Sequence, residues 1–181
     1  MKQFTLFKSS SDNYQLIIYV FKMLVGHALV IEEHDGMLVI FHNDFNNEEI
    51  KSTFQSLESD INSSICVYQS YLLPIDELKK ELDVILPIFR NVEYGSYNMK
   101  SLLLEVKIDR SLPILHFIID GSGVDEKIIE MMAEADLNVS KASSLLYLHR
   151  NSLNYKLDRL LNEKGFDLRK FIDCYCLYRL I

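Results

Sequence analysis

The stretch Asp136-Leu-Asn-Val-Ser-Lys-Ala-Ser-Ser-Leu-Leu-Tyr-Leu-His149-Arg150-Asn-Ser-Leu-Asn-Tyr-Lys-Leu-Asp-Arg-Leu160 carries two helical patterns separated by a short break. Asn138 can cap a helix over residues 139–146, Tyr147-Leu148-His149 reads as the turn, and a longer helix runs from Arg150 to Lys164. On that longer helix Leu153, Leu157, Leu160 and Leu161 fall in one apolar sector, where Ala142, Leu145 and Leu146 of the shorter helix can pack. The opposite face holds Asn151, Ser152, Tyr155 and Arg159, flanked by Lys156, with His149 and Arg150 at the start. Two helices joined by a three-residue turn fit helix-turn-helix geometry. Forked or long donors beside short amides are the groups that reach phosphates and base edges when a helix enters the major groove.

Working outward, Gly165 suits the residue just past the helix end, and Asp167 reads as the cap of a further helix turning Leu168, Phe171, Ile172, Tyr175 and Tyr178 inward. Upstream, Ser122 with Asp125 forms a capping-box pattern that opens a helix with Ile128, Ile129 and Met132 inward. Residues 122–181 therefore read as an all-α bundle of four short helices, a helix-turn-helix DNA-binding domain with Gly121-Ser122-Gly123 as its boundary. Charge agrees with this division. Residues 1–124 hold 10 Lys/Arg against 17 Asp/Glu, whereas residues 139–170 hold 7 against 3, a local surplus suited to phosphate. Ser140 and Lys141 lie in the first turn of the shorter helix, where unpaired N–H groups and the helix dipole favour anions; Asn138 reads as a plain cap.

The first 120 residues read differently. Ser11 and Asp12 are placed to cap a mostly buried helix through Leu16, Ile17, Val20, Phe21, Leu24 and Val25, ending near Gly26. Two β-rich runs, residues 28–33 and 37–41, flank His34-Asp35-Gly36, whose Asp-Gly pair signals a hairpin. Asn46 and Glu49 open a helix through Ile50, Phe54, Leu57 and Ile61, a strand follows at residues 65–72, and Pro74 starts an amphipathic helix that Pro87 ends or kinks. The order helix, strand, strand, helix, strand, helix predicts a mostly antiparallel sheet covered on one side by helices, an α+β domain over residues 1–120. Residues 91–120 read as a link, because the apolar runs 102–108 and 114–119 carry neither a strand nor a helix period.

The run from Asp136 to Leu160, with Gly165-Phe-Asp-Leu168, resembles the C-terminal helix-turn-helix of the PucR/CdaR family of bacterial transcription regulators. The resemblance rests on Asn138, Val139, Leu145, His149, Arg150, Asn151, Leu153, Tyr155, Leu157, Gly165, Asp167 and Leu168. Ser152 stands for the family's Thr and Lys156 for its Arg, keeping a hydroxyl and a positive charge. The family implies duplex DNA as partner and a degenerate GGDEF-like domain upstream. In active cyclases of that kind a hairpin tip of two glycines, two acids and a phenylalanine supplies metal and nucleotide contacts. Here the stretch reads Glu33-His34-Asp35-Gly36-Met37, so the resemblance carries over no catalysis.

Composition narrows the field. Of 181 residues 49% are hydrophobic and 25% charged, with 6 Gly and 3 Pro, which describes a globular chain. The longest apolar stretch, residues 16–31, is cut by Lys22, Gly26 and His27 and falls short of a membrane span; no signal peptide pattern follows, and the chain is expected in the cytoplasm. Cys66, Cys174 and Cys176 read as small core residues. His34, Asp35, His42 and Asp44 lack a third ligand at metal spacing and read as surface residues, and no catalytic group or cofactor site is expected. The reading is a DNA-binding transcription regulator, not an enzyme, acting as a homodimer through the recognition helix 150–164. Its acidic N-terminal domain serves assembly or the sensing of a small-molecule effector that no residue pattern identifies. The alternative is a protein-interaction module whose helical bundle does not bind DNA.

Overall fold

The first strand, β1 (Gln3–Lys8), lies at the centre of a five-stranded sheet, although the opening residues read as polar and mixed. The computed structural model describes residues 2–26, 29–106 and 111–181. With β2 (Val30–His34), β3 (Met37–His42), β4 (Cys66–Gln69) and β5 (Gly95–Tyr97), the order is β2-β3-β1-β4-β5. Every pairing is antiparallel except the short parallel one of β4 with β5. The polar residues that disguise β1 are satisfied inside: Thr5 bonds His42, and the Gln3 side-chain oxygen accepts from the Phe45 N–H. Ala28, at the start of the expected β2 run, lies outside the described residues.

Helices cover both faces of the sheet rather than one, because β1, β3 and β4 bury side chains in both directions. On one face Phe7 meets Phe21 of α1 (Tyr14–Val25) and Phe54 of α2 (Asn47–Ile61), with ring centroids 5.8 and 4.7 Å apart. On the other, Tyr68 meets Phe89 of α3 (Ile75–Phe89) and donates to buried Glu81 at 2.7 Å. Asn46 caps α2 as read, by accepting from the Glu48 N–H, and the hairpin turn is Asp35-Gly36 with φ of 53° and 74°. Both central residues being left-handed is what a two-residue turn between twisted strands requires.

Other expectations are corrected. Ser11 and Asp12 sit in a 3₁₀ turn over Ser11–Asn13, and α1 starts at Tyr14. Of the six apolar residues read inward on that helix, Ile17 and Phe21 are buried, Val20, Leu24 and Val25 are half-buried and Leu16 is exposed. Pro87 does not end α3, which continues to Phe89, since proline in a last turn forfeits a single backbone bond. The expected link is structured: it holds β5, α4 (Met99–Glu105) and α5 (Leu112–Ile119), with Pro113 in the first turn of α5. Lys107 and Ile108, the end of one ambiguous apolar run, lie outside the described residues.

The chain divides into two compact units, Met1–Leu102 and Leu103–Ile181. The division precedes the glycine-serine-glycine stretch because α5 buries Ile114, Leu115, Phe117 and Ile118 and packs on α8 (Arg150–Lys164) downstream. Gly121 and Gly123, both with φ of 78°, form a turn inside the second unit. All three cysteines are buried and unbridged, and burial pushes the thiols of Cys66 and Cys174 up to about 12 and about 11. No described helix is long and apolar enough to cross a membrane.

His42 is a core residue, not the surface residue its hairpin position suggested. Its Nδ1 lies 2.6 Å from the Asn43 carbonyl, which can only accept, so the neutral ring carries its proton there and its Nε2 accepts from the Thr5 hydroxyl at 3.0 Å. Burial lowers its pKa, against the opposing pull of that carbonyl and of Asp44. The contribution is therefore complete above the unfolded value, about 6.5, and is lost as pH falls toward the lower native value, because the unfolded chain takes the proton first. Urea unfolding at pH 7.5 and pH 5 is expected to show this loss, and His42→Gln to flatten it; an equal decline in both proteins would refute the assignment.

Candidate nucleic-acid interface

In the second unit, α6 (Glu126–Glu134), α7 (Val139–Leu145), α8 (Arg150–Lys164) and α9 (Phe171–Tyr178) follow one another with short connections. Asn138 caps α7 by accepting from the Lys141 N–H at 3.1 Å. His149 caps α8 through Nδ1, which accepts from the Asn151 N–H at 3.2 Å, so the outward Nε2 carries the ring proton. Asp125, not Ser122, caps α6 by accepting from the Ile128 N–H; the Ser122 hydroxyl instead donates to the Ile119 carbonyl. Gly165 ends α8 with φ of 73°, as its place in the sequence suggested.

Leu153, Leu157 and Leu160 are wholly buried beside Ala142, which turns the other side of α8 to solvent. Arg150, Asn151, Ser152, Tyr155 and Arg159 are exposed there, Lys156 is half-buried, and His149, Ser140 and Lys141 are exposed at the two helix starts. Leu145, expected in the core, is 45% exposed. The nine sequence-predicted residues thus lie on α7, α8 and the start of each.

Their charges are less available than a count suggests. Lys141 pairs with Asp136 at 3.1 Å, Arg159 Nε with Glu163 at 2.7 Å, and Arg169 with Asp158 and Asp167 at 2.7 and 2.6 Å. Lys164 is buried with its ammonium 4.1 Å from the Phe117 ring centroid. Of the local cationic surplus, Arg150 and Lys156 stand best placed on the outward side of α8.

Two features had no signal in the helical periodicity. Tyr147 is 97% exposed with φ of 54°, at a position where glycine is usual. It closes α7: the Tyr147 N–H bonds the Ser144 carbonyl and the Leu148 N–H bonds the Ser143 carbonyl. The second feature is the Gly121–Gly123 turn, read as a boundary, whose Gly123 carbonyl accepts from Lys156 Nζ. Ser122 and Gly123 line one side of a cavity of about 510 Å³ whose other side is the outward face of α8.

The other end of the bundle departs furthest from expectation. Residues 167–170 form a turn in which Asp167 accepts from the Arg169 N–H, and α9 starts only at Phe171. Cys174, Cys176 and Leu177 fill the core, while Phe171 (69%), Ile172 (47%), Tyr175 (44%) and Tyr178 (49%) are exposed. Phe171 and Tyr175 stack at 5.9 Å, and with Leu137 and Tyr178 they line a cavity of about 350 Å³.

Comparison with known proteins bears on this unit most directly. Residues 127–178 match the PucR C-terminal helix-turn-helix domain. The uncharacterized protein YxkF of Bacillus subtilis (strain 168) is 25% identical over 158 residues, covering 78% of this chain and 53% of its own length. The chain thus spans about half the length of that curated relative. Over 99% of its length the chain is similar in fold to the crystal structure of a regulator of polyketide synthase expression from Bifidobacterium adolescentis, with a TM-score of 0.51, 14% identity and 78% of that chain covered.

Tyr147 carries a local test. A left-handed conformation costs an L-residue about 1–2 kcal/mol, and glycine costs about 0.5–1 kcal/mol in added unfolded-chain entropy. Tyr147→Gly is therefore expected to raise stability by up to about 1 kcal/mol in denaturant titration. A loss of stability would show that the exposed ring contributes to packing.

Proposed function

From a second unit that carries a PucR-type helix-turn-helix, we propose that the chain is a transcription regulator that binds duplex DNA through α8. The observation that carries this is the division of α8 into a buried leucine ridge and an outward side of arginine, asparagine, serine, tyrosine and lysine. Arg150 and Asn151 sit at the helix start, where side chains of a recognition helix meet base edges. Tyr155, Lys156 and Arg159 continue the same side toward the backbone, and Ser140, Lys141 and the His149 Nε2–H flank it. The N-terminal α+β unit serves assembly or effector sensing, and its acidic surplus keeps DNA to the other unit by repulsion. The PucR-type match favours a regulator over an enzyme.

The whole chain of 181 residues, titrated with duplex fragments across a salt series, is expected to bind with an affinity that falls steeply as salt rises. Arg150→Ala is expected to weaken binding by about tenfold to a hundredfold, with a smaller effect of Asn151→Ala. Arg90→Ala, an exposed change in the N-terminal unit, is expected to leave binding unchanged. A folded protein that binds no duplex at low salt would end this reading.

Recognition by one helix offers few base contacts, and a second copy doubles them across two half-sites. The aromatic side of α9 is the surface we assign to that second copy, since buried aromatic residues anchor most interfaces. Sedimentation of Phe171→Ser/Tyr175→Ser is expected to show monomer where the unaltered protein shows dimer. An unaltered protein that is monomeric at micromolar concentration would instead favour the other reading of the same aromatic face, a bundle that docks another protein.

A further inference from the structure

The turn that looked like a boundary faces the outward side of α8 across a cavity of about 510 Å³. We infer that this turn and α8 together seat a backbone phosphate of DNA, with Lys156 and Arg159 as the cations of the cup. The inference rests on the DNA-binding reading above and adds to it a wall and a division of labour along the helix.

The lining chemistry is one-sided. On the α8 side stand the amide of Asn151, the hydroxyls of Ser152 and Tyr155, the Lys156 ammonium and the Arg159 guanidinium; the turn contributes Ser122 and Gly123. None of these is a carboxylate. Lys156 spends one of its three N–H donors on the Gly123 carbonyl, which anchors the ammonium at the rim with two donors left. Arg159 spends Nε on Glu163 at 2.7 Å, leaving the outer N–H groups, and its Nη2 lies 3.9 Å from where a Cβ on Gly121 would stand. Two cations that line one hollow, each tied to a neighbour, are preorganised for an anion, with the Glu163 Oε2 outside the lining at 3.6 Å from where a Cβ on Gly121 would stand. The hollow is shallow and open, which suits a phosphate that belongs to a long strand.

Glycine at the turn is part of the device. Gly123 has φ of 78°, and a Cβ there would stand 3.0 Å from Lys156 Nζ. A side chain at that position strains the turn and makes the ammonium give way by a few tenths of an ångström. Lys156 and Arg159 then read phosphate, which carries no sequence information, while Arg150 and Asn151 at the start of the helix read bases.

Salt dependence separates these roles. On two unrelated duplexes, Lys156→Gln and Arg159→Gln together are expected to lower the slope of log affinity against log salt by about 0.9, the share of the one phosphate they seat, and each alone by less, equally for both sequences. Arg150→Gln is expected to change the preference between them. Unchanged slopes in the two cation variants, beside a duplex-binding parent, would overturn the cup while sparing the DNA reading; a parent that binds no duplex removes both. Inorganic phosphate that binds the parent at millimolar concentration yet lowers its duplex affinity no more than chloride at equal ionic strength would assign the cup to a free phosphate ligand and overturn the backbone assignment.

Discussion

Leu153, Leu157 and Leu160 are withdrawn from water completely, and their spacing of four and three residues leaves α8 one way to face. Burying a leucine is worth about 1.5–3 kcal/mol, so rotating this helix to any other face would expose several kilocalories of apolar surface. Everything proposed for the second unit follows from that constraint. Arg150, Asn151, Ser152, Tyr155 and Arg159 are outward because the leucines are inward, and Gly165 and His149 only mark where the helix stops and starts. Binding chemistry is what remains on a helix after its core side has been chosen.

Charge on that remaining side is shaped by neighbours. Glu163 holds Arg159 from behind, the Gly123 carbonyl holds Lys156, and Asp136 neutralises Lys141. Exposed ion pairs of this sort add little to stability, yet they orient long flexible side chains before any ligand arrives. The left-handed residues tell a related story. Asp136, Leu137 and Tyr147, with φ of 54°, 63° and 54°, stand at the two connections that bracket α7. Each occupies a conformation that glycine would adopt with less strain, and the closing backbone bonds of α6 and α7 hold them there. The connections are thus short and rigid, which sets the angle between α7 and α8.

The N-terminal unit obeys a different economy. Its three middle strands are buried on both faces, so polar residues within them must find partners inside: Thr5 with His42, Tyr68 with Glu81. At the edge, β2 is exposed along its length and carries Glu32 and Glu33, charges that discourage pairing with a stray strand.

The helix-turn-helix was legible from sequence because its signals are local. Asn138 before a short helix, leucines three and four apart, and Gly165 after Lys164 each act within a few residues, and all three hold in the structure. The hairpin at Asp35-Gly36 and the cap at Asn46 were legible for the same reason. What failed was whatever depends on partners distant in the chain. β1 alternates polar and apolar only over Gln3–Leu6, a pattern that would leave Gln3 and Thr5 on a solvent face; they become interior when β3 and β4 supply their hydrogen bonds and cover. On α9 periodicity cannot tell Phe171 and Tyr175 from Cys174 and Leu177, because both sets recur at helical spacing and only contact with α6 decides which set is buried. The turn at Gly121–Gly123 looked like a gap between domains until α5 and α8 closed on each other around it. Sequence alone determined α7 with its cap at Asn138, the span of α8 and the side chains α8 carries, because those follow from neighbours along the chain. Tertiary structure decided the centre of the sheet, the exposed aromatic face and the wall opposite Lys156, because each depends on which surfaces exclude water together.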